Sequence, residues 1–220
     1  MTKIVADPYE KDDYYEARTV NFNTPVKRSK SMRYGVYLSS DYRNRFAVDF
    51  GCGSTIKPLY GFKEYRARVS PRFRFNDKIA IQYVLSLRNR YNELGYIDDL
   101  IITNQQNTQP VFSLRNTFMI TNVFSGSYII NNKIDFSFKL RYHTDQVDNL
   151  NFNKLDNDGY LLQTSVDGNN SSDFNINYST WTSDVGLNWW FAPGSQLLSL
   201  IHISEPTRLL SISYAVFCLK

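Results

Sequence analysis

The side chains best suited to chemistry are few and scattered along the chain. His143 has Asp145 and Asp148 close by in sequence, which suggests a hydrolase dyad or triad at the rim of a sheet. Residues 156–159 read Asp-Asn-Asp-Gly and suit calcium, but the glutamate that completes an EF-hand loop is missing. Cys52 stands between two glycines, and no helix follows to make a phosphate-binding loop. We therefore expect a rim histidine, a solvated turn and a small packed cysteine, with no catalytic residue, bound metal or cofactor.

Arginine recurs at alternate positions in two segments of the chain. If these segments pair as neighbouring strands, Arg66 faces Arg88 and Glu64 faces Arg90. Like charges that face each other need acidic partners or a bound anion. The row either attracts anionic solutes or acidic glycans into a lumen, or forms a charge network that fills the lumen. The predicted lumen-facing residues are Glu64, Arg66, Arg68, Arg72, Arg74, Arg88 and Arg90.

The elements that carry these residues have a period of two. In residues 133–142 every even position is apolar or aromatic, and the odd positions are Lys, Asp, Ser, Lys and Arg. The same alternation occurs at 64–75 and 78–91, and no window has a convincing helical period. We predict an all-β fold, an antiparallel up-and-down meander. Weaker alternation marks residues 14–22, 33–42, 45–56, 111–130 and 174–191.

Short turns are expected to set the register between these strands. A three-residue loop at 76–78 pairs Phe75 with Ile79 and keeps the apolar residues of both strands on one face. The same loop length is predicted at 43–45 and 131–133. The pairs expected from the three turns are Phe73 with Ile81, Val69 with Leu85, Leu38 with Phe50, Tyr42 with Phe46, Ile130 with Ile134, Tyr128 with Phe136 and Phe124 with Leu140.

Long polar connections are predicted at residues 23–32, 92–110 and 148–172. Tight turns that alternate with long loops, and strands of roughly 10–16 residues, are typical of a transmembrane barrel. A soluble sandwich shares the alternation but buries its apolar face. The arginine-rich polar face and the aromatic residues near the strand ends favour part of an outer-membrane β-barrel.

The composition is that of an ordered protein: of 220 residues, 42% are hydrophobic and 15% aromatic. The mean hydropathy of −0.40 leaves no apolar run long enough for a membrane helix. Residues 1–13 have no signal-peptide pattern, so we expect either a cytoplasmic protein or a missing start. Two cysteines exclude a disulfide scaffold, and a net charge of +4 gives no reason to expect a nucleic-acid partner.

A run near residue 190 carries a family resemblance. The residues Trp189, Phe191, Ala192, Pro193, Gly194 and Ser195 are similar to the C-terminal signature of the DUF5916 family. The asparagine turn at 131–132, followed by Arg141 and Tyr142, resembles a hairpin of the same family. The resemblance implies a Bacteroidetes outer-membrane protein with a signal peptide, then a domain like family 9 carbohydrate-binding modules, then this barrel. It implies outer-membrane lipid as a partner, with glycans bound through the preceding domain.

Residues 198–220 resemble the translation of a transposon-based sequencing adapter. Agreement extends over nineteen positions, and a gap of three codons accommodates a sample index. We therefore assign residues 1–197 to a partial outer-membrane β-barrel domain and 198–220 to a non-native adapter-derived tail. On this view the chain is a C-terminal fragment of a larger protein.

Three functions stay open at this point. The first is a non-catalytic membrane anchor or conduit in the bacterial outer membrane, linked to carbohydrate binding by a missing N-terminal domain. The second is an outer-membrane hydrolase with an active site at the rim. The third is a soluble β-sheet binding module, which would turn its apolar faces inward.

The adapter assignment makes a direct prediction about the source DNA. Sequencing that DNA by a method without transposon adapters should give a different continuation after codon 197, because selection never acted on the tail. Recovery of the identical 23 codons, 198–220, would contradict the assignment.

Overall fold

The fold consists almost entirely of β-strands. A computed structural model describes the backbone of residues 1–15, 25–104, 107–166, 169–206 and 211–219, and their side chains except at 98–109 and 206–219. The strands are β1 (Thr2–Asp7), β2 (Lys11–Asp13), β3 (Val26–Arg28), β4 (Ser31–Ser39), β5 (Phe46–Lys57), β6 (Phe62–Arg74), β7 (Ile79–Asn104), β8 (Asn107–Asn131), β9 (Ile134–Asn149), β10 (Phe152–Leu155), β11 (Leu161–Thr164), β12 (Ile176–Ala192), β13 (Ser195–Pro206) and β14 (Ser211–Leu219). Short 3-10 helices occupy Leu59–Gly61 and Ser171–Phe174.

The main sheet has the strand order β1, β4, β5, β6, β7, β8, β9, β12, β13, β14. All neighbours are antiparallel, so the predicted up-and-down meander is confirmed. The β10–β11 hairpin attaches to β8, and β2 pairs with β3 in a separate sheet. Within the described residues, no helix has the length and hydropathy needed to cross a membrane.

The turn at residues 76–78 has the predicted register. Phe73 lies opposite Ile81, as expected. The Asn76 side-chain oxygen accepts hydrogen bonds from the backbone amides of Lys78 and Ile79, both at 2.9 Å. This side chain holds the turn that the sequence predicted, because Asn readily bonds to backbone two residues ahead.

The other two turns differ locally from the prediction. Asn131, rather than Ile130, pairs with Ile134, because a bulge lies between Ile129 and Asn131. The bulge absorbs one residue, so the predicted pairs of Tyr128 with Phe136 and Phe124 with Leu140 are confirmed.

At the turn near residue 43, the predicted pair of Leu38 with Phe50 is confirmed. The pair of Tyr42 with Phe46 is wrong, since the ladder between β4 and β5 ends at Ser39 and Asp49. The Tyr42 hydroxyl donates to the Asp49 carboxylate, and this contact keeps Tyr42 in the turn. The predicted strand at 14–22 lies mainly outside the described residues.

The two faces of the sheet differ in chemistry and in burial. Side chains on the apolar face are open to the surroundings: Phe124 is 39% exposed and Leu140 37%. On the opposite face, Thr55 is 3% exposed and Ser70 3%. Successive side chains of a strand point to opposite faces, so the continuous register from β4 to β12 keeps these two sets apart.

The polar face of the sheet borders a cavity of about 570 Å³. Its lining extends from Lys3 on β1 to His143 on β9 and comes from seven neighbouring strands, β1 and β4 to β9.

The long connections fold together at one end of the sheet. The irregular polar loops predicted at 92–110 and 148–172 are wrong, because β7 and β8 continue to Asn104 and Asn107 and because residues 148–172 contain β10 and β11. The predicted connection 23–32 likewise contains β3. We call β2, β3, β10, β11, residues 93–116 of the β7–β8 hairpin and the 3-10 helix Ser171–Phe174 the cap.

Apolar burial in this protein concentrates in the cap. One cluster contains Val26, Phe112 and Leu155, with Leu94 and Leu161 packed against it. The second cluster contains Ile97, Val111, Phe152, Val166 and Phe174. Removal of these side chains from water stabilises the cap and explains why the predicted loops are ordered strands.

The tail continues the sheet. β13 pairs with β12, and β14 pairs with β13. The strand that the sequence allowed at 198–203 therefore forms, but Leu198 and Leu200 lie opposite Asn188 and Gly186 on the polar face, and Ser199 lies on the apolar face. In this strand, polar and apolar side chains are therefore not separated onto opposite faces, as they are in β6 and β9.

Close backbone contact in the cap makes a testable prediction about Gly159. Its φ is +82°, and an added Cβ would lie 2.2 Å from the Pro25 carbonyl oxygen. Gly194 is the matched control, since its φ is +77° and nothing lies within 4 Å of an added Cβ. Gly194→Ala should lower the free energy of unfolding by about 1–2 kcal/mol, because alanine is strained in the left-handed conformation. Gly159→Ala should lower it by roughly 1–3 kcal/mol more, because the added Cβ forces Pro25 to move.

Hydrogen exchange of the Lys27 amide, in the full chain refolded in detergent micelles, measures this difference. That amide donates to the Gly159 carbonyl at 3.0 Å, so it reports opening of the cap. Equal exchange rates in the two variants would contradict the close contact.

Candidate functional site

The arginine row occupies the polar face of β6 and β7. Arg66 lies opposite Arg88, and Glu64 lies opposite Arg90, as the sequence predicted. Arg68, Arg72 and Arg74 share this face because they alternate with Val69 and Phe73 of the apolar face. The structure therefore brings the predicted residues together on one surface; that this surface lines a lumen stays a prediction.

An ion-pair network covers the end of the row nearest the cap. The Glu64 carboxylate accepts a hydrogen bond from Arg90 Nε at 3.1 Å, and Arg66 Nη1 lies 3.6 Å from it. Arg90 Nη1 donates to Glu93 at 2.6 Å. The Glu64 side chain is 13% exposed, so these contacts operate where water screens them weakly.

Glu93 extends this network to β8. Its second oxygen accepts from the Thr117 hydroxyl at 3.1 Å and lies 3.8 Å from Arg115 Nε. Sequence reasoning missed Glu93, because the residue falls in a segment predicted to be loop. A bulge between Arg90 and Glu93 turns the Glu93 side chain to the polar face, and Asn92 there has a φ of 52°.

Glycines make room for two of the guanidinium groups. An added Cβ at Gly53 would lie 3.0 Å from Arg66 Nε, and one at Gly95 would lie 2.4 Å from Arg115 Nε. In both cases the side chain of an arginine from the neighbouring strand fills the space over the glycine. Larger residues at these positions would displace the arginines from the polar face.

The remaining arginines have no carboxylate partner among the described residues. Arg72 lies over the Tyr42 ring, 5.8 Å from its centroid, and Arg68, Arg74 and Arg88 form no ion pair. Arg68 and Arg88 line the cavity of about 570 Å³ on the polar face. Among the described residues, the row is thus ion-paired near the cap and has no ion pairs farther along the strands.

The alternative of an acid–base group around His143 is not supported by the geometry of these residues. His143 Nδ1 lies 2.8 Å from the Thr121 hydroxyl, with which it shares a hydrogen bond. Asp148 accepts from Asn175 at 3.3 Å, and Asp145 Oδ1 is buried without a hydrogen-bond partner in the described part of the chain. No hydrogen bond or ion pair joins His143 to either carboxylate, so these three side chains do not form a catalytic dyad.

The other candidate ligands also have structural explanations. Asp156 Oδ1 accepts hydrogen bonds from the backbone amides of Asp158 and Tyr160, at 3.0 and 2.8 Å, which is turn geometry. Cys52 lies on the apolar face, opposite Val36 and Ala67, and is exposed rather than packed. Within the described residues, no group of three or more His, Cys, Asp or Glu side chains could hold a metal ion.

Ion pairs in the cap fix its outer strands. Lys27 contacts Asp12 at 2.5 Å, which raises the pKa of Lys27. The Arg28 side chain donates to Asp13 at 2.6 Å and lowers the pKa of that carboxyl. Burial raises the pKa of Tyr60, whose hydroxyl accepts the Leu161 amide at 2.8 Å. The first two contacts join β3 to β2, and the third joins the 3-10 helix Leu59–Gly61 to β11.

The aromatic run near residue 190 forms the turn between β12 and β13. Ala192 pairs with Ser195, which leaves Pro193 and Gly194 as a two-residue turn with Gly194 at a φ of +77°. Phe191 and Trp189 lie on the same side of β12, as alternation requires, with 5.8 Å between their ring centroids. The register shifts between Trp190 and Ala192, so Phe191 is the unpaired residue of a bulge. Exposed aromatic rings therefore gather at the short-turn end of the sheet.

A family model for a domain of unknown function, DUF5916, matches residues 1–204. The chain belongs to the DUF5916 family. No curated protein and no solved structure matches the chain. The resemblance that the sequence showed in the run from Trp189 to Ser195 is thus confirmed, and it extends over the whole DUF5916 sheet from β1 to β13.

The DUF5916 match also bears on the end of the domain. It ends at residue 204, beyond the boundary predicted at 197. The segment Leu198 to Ile203 resembles the continuation of the family in sequence, and it forms β13 in the structure. The adapter origin of residues 198–220 stays a prediction.

The ion-pair network makes a prediction about the stability of this DUF5916 sheet. Glu64→Gln keeps the shape of the side chain but removes the charge shared by Arg66 and Arg90. Two poorly hydrated cations then lose their partner, so unfolding free energy should fall by about 1–3 kcal/mol. Urea unfolding of the full chain in detergent micelles measures the change.

Asp41→Asn is the matched control for Glu64→Gln. Asp41 pairs with Arg43 in a short turn, where both side chains are largely exposed, so its replacement should have a much smaller effect. Equal losses in the two variants would show that burial on the polar face does not strengthen the Glu64 contacts.

Proposed function

We propose that this chain is the membrane-embedded sheet of a bacterial outer-membrane protein, where it acts as an anchor or conduit without catalytic activity. The direction of the apolar face carries the proposal. Aromatic and aliphatic side chains of successive strands face outward together, and polar side chains face the cavity. A water-soluble protein rarely exposes so large an apolar surface, whereas lipid favours one.

Hydrogen bonding on the apolar face supports contact with lipid. Asn122 is a polar residue on that face, opposite Leu85 and Tyr142. The Tyr83 hydroxyl donates to its side-chain oxygen at 2.5 Å, so this acceptor does not depend on water. Such pairing reduces the free-energy cost of placing an amide in hydrocarbon.

The two other functions have less support. A soluble binding module would bury the apolar face, but the largest buried side chains belong to the cap and not to the middle of the sheet. A hydrolase would need His143 bonded to a carboxylate, and His143 bonds to Thr121 instead. Neither function has a specific observation in its favour.

The proposed orientation places the cap outside the cell. Long connections of outer-membrane barrels are extracellular, and short turns are periplasmic. The short-turn end would then place Trp189, Trp190 and Phe191 at the periplasmic surface of the outer membrane. Aromatic rings are enriched at such membrane–water interfaces. The proposed link to glycans comes through an N-terminal domain that resembles family 9 carbohydrate-binding modules, which the family resemblance implies.

The lipid-facing assignment predicts that an introduced arginine destabilises the protein on the apolar face and is tolerated on the polar face. Leu140→Arg places a cation in hydrocarbon and should destabilise the membrane-inserted protein by about 2–4 kcal/mol. Ser137→Arg, three residues away on the polar face, is the matched control and should be tolerated, because water and neighbouring polar groups solvate the added charge.

Heat-modifiable gel mobility of outer-membrane extracts measures the folded fraction of each variant. We expect Leu140→Arg to lower this fraction strongly and Ser137→Arg to leave it near the wild-type level. Equal effects of the two variants would contradict contact between the apolar face and lipid.

A further inference from the structure

The cavity on the polar face is lined by basic groups. Its charged lining side chains are Lys3 from β1, Arg66 and Arg68 from β6, and Arg88 from β7. No carboxylate is among the lining residues, all of which lie in the described part of the chain. Four cations therefore surround a space of about 570 Å³.

Glycines form the floor between these cations. Lys3 lies opposite Gly35, Gly35 opposite Gly53, and Gly53 opposite Arg66. Two positions without side chains thus separate Lys3 from Arg66, and the next row contributes Gly51. Gly35 and Gly51 line the space that the basic groups surround, whereas the Arg66 side chain lies over Gly53.

The geometry of the strands brings three guanidinium groups to one side of this floor. Arg66 lies directly opposite Arg88, and Arg68 lies opposite Ser86. Arg88 therefore has Arg66 as its direct neighbour and Arg68 as its diagonal neighbour, about 7–8 Å away between backbones. Long side chains can converge on one ligand across such a distance.

Nearby carboxylates are already engaged or lie outside the lining. Glu64 is shared by Arg66 and Arg90. Asp49 accepts hydrogen bonds from the hydroxyls of Ser39 and Tyr42. Asp145 lies on the same face but does not line the cavity. Lys3, Arg68 and Arg88 form no ion pair with any described residue. Arg68 attracts the Asp49 carboxylate only at longer range.

Hydroxyl and imidazole groups complete the lining. Thr121 and Ser86 lie opposite each other at the level of Arg68, and His143 shares a hydrogen bond with Thr121 at 2.8 Å. Tyr37 lies at the other side of the glycine floor. These groups supply donors that can orient an anion once the cations have attracted it.

We infer that this cavity is a binding site for multivalent oxyanions, which bear carboxylate or phosphate groups. Arginine forks bind both groups in a bidentate manner, and several cations near one space favour ligands with more than one charge. The inference deepens the proposed function and rests on it in one respect, since the polar face must border water for the conduit to carry such solutes. Acidic saccharides and phosphorylated solutes share this chemistry.

Isothermal titration calorimetry on the full chain in detergent micelles, at 150 mM salt, tests the site. The probes are tri-galacturonate for carboxylates, tripolyphosphate for phosphates and maltotriose as the neutral ligand. We expect saturable binding of at least one oxyanion and none of maltotriose. Equal binding of the neutral ligand, or no binding of either oxyanion, overturns the inference.

Charge-matched double variants separate a defined site from general attraction. Arg68→Gln with Arg88→Gln should weaken oxyanion binding at least tenfold. Arg43→Gln with Arg45→Gln removes the same charge from a short turn outside the cavity and should change binding less than twofold. Equal weakening by the two pairs overturns the inference, because it would indicate diffuse electrostatic attraction.

A third variant tests the cavity without changing charge. An added Cβ at Gly51 would meet only the Tyr37 ring at 3.5 Å and a backbone oxygen at 3.9 Å, so the Cβ of Gly51→Leu fits. The rest of the leucine side chain reduces the space that Gly51 lines. Loss of binding supports the site, and wild-type affinity contradicts it. Because calorimetry in micelles does not depend on lipid contact, its outcome is separate from that of Leu140→Arg and Ser137→Arg.

Discussion

The continuous antiparallel ladder from β4 to β12 is the constraint on which the rest of the structure depends. Because side chains alternate between faces along each strand, a shift by one residue between two strands would exchange their apolar and polar sets. Short turns prevent that shift, as at Asn76, and bulges near Ile130 and Phe191 absorb single residues at the ends. The arginines therefore share one face along β6 and β7.

The chain uses two opposite patterns of burial. In the sheet, Thr55 and Ser70 are buried while Leu140 is exposed. In the cap, Val111 and Phe112 are buried, as in water-soluble proteins. The transition occurs at the bulge after Arg90, where β7 leaves the regular ladder. This change fits a molecule whose sheet and cap have different solvents, with lipid around the first and water around the second.

The charges of the polar face divide in the same direction. Near the cap, Glu64 and Glu93 form ion pairs with Arg66, Arg90 and Arg115. Farther along the strands, the cations border open space over glycines. A full network would fill the face with paired charges, and an unpaired row would repel itself. The observed division combines a paired end with a basic cavity. The paired end agrees with the charge-network interpretation of the row, and the proposed oxyanion site belongs to the other part.

The sequence alone determined the strand type, the pairing of β6 with β7 and the shared face of Arg66 and Arg88, because alternation and turn length are local properties. It did not reveal the cap, since Val26, Phe112 and Leu155 meet only when distant connections pack together. It also missed Glu93, because a bulge decides which face the Glu93 side chain points to. It missed Lys3 as well, because this residue reaches the cavity only through the pairing of β1 with β4. Tertiary contacts decided these features because they join residues that no local pattern links.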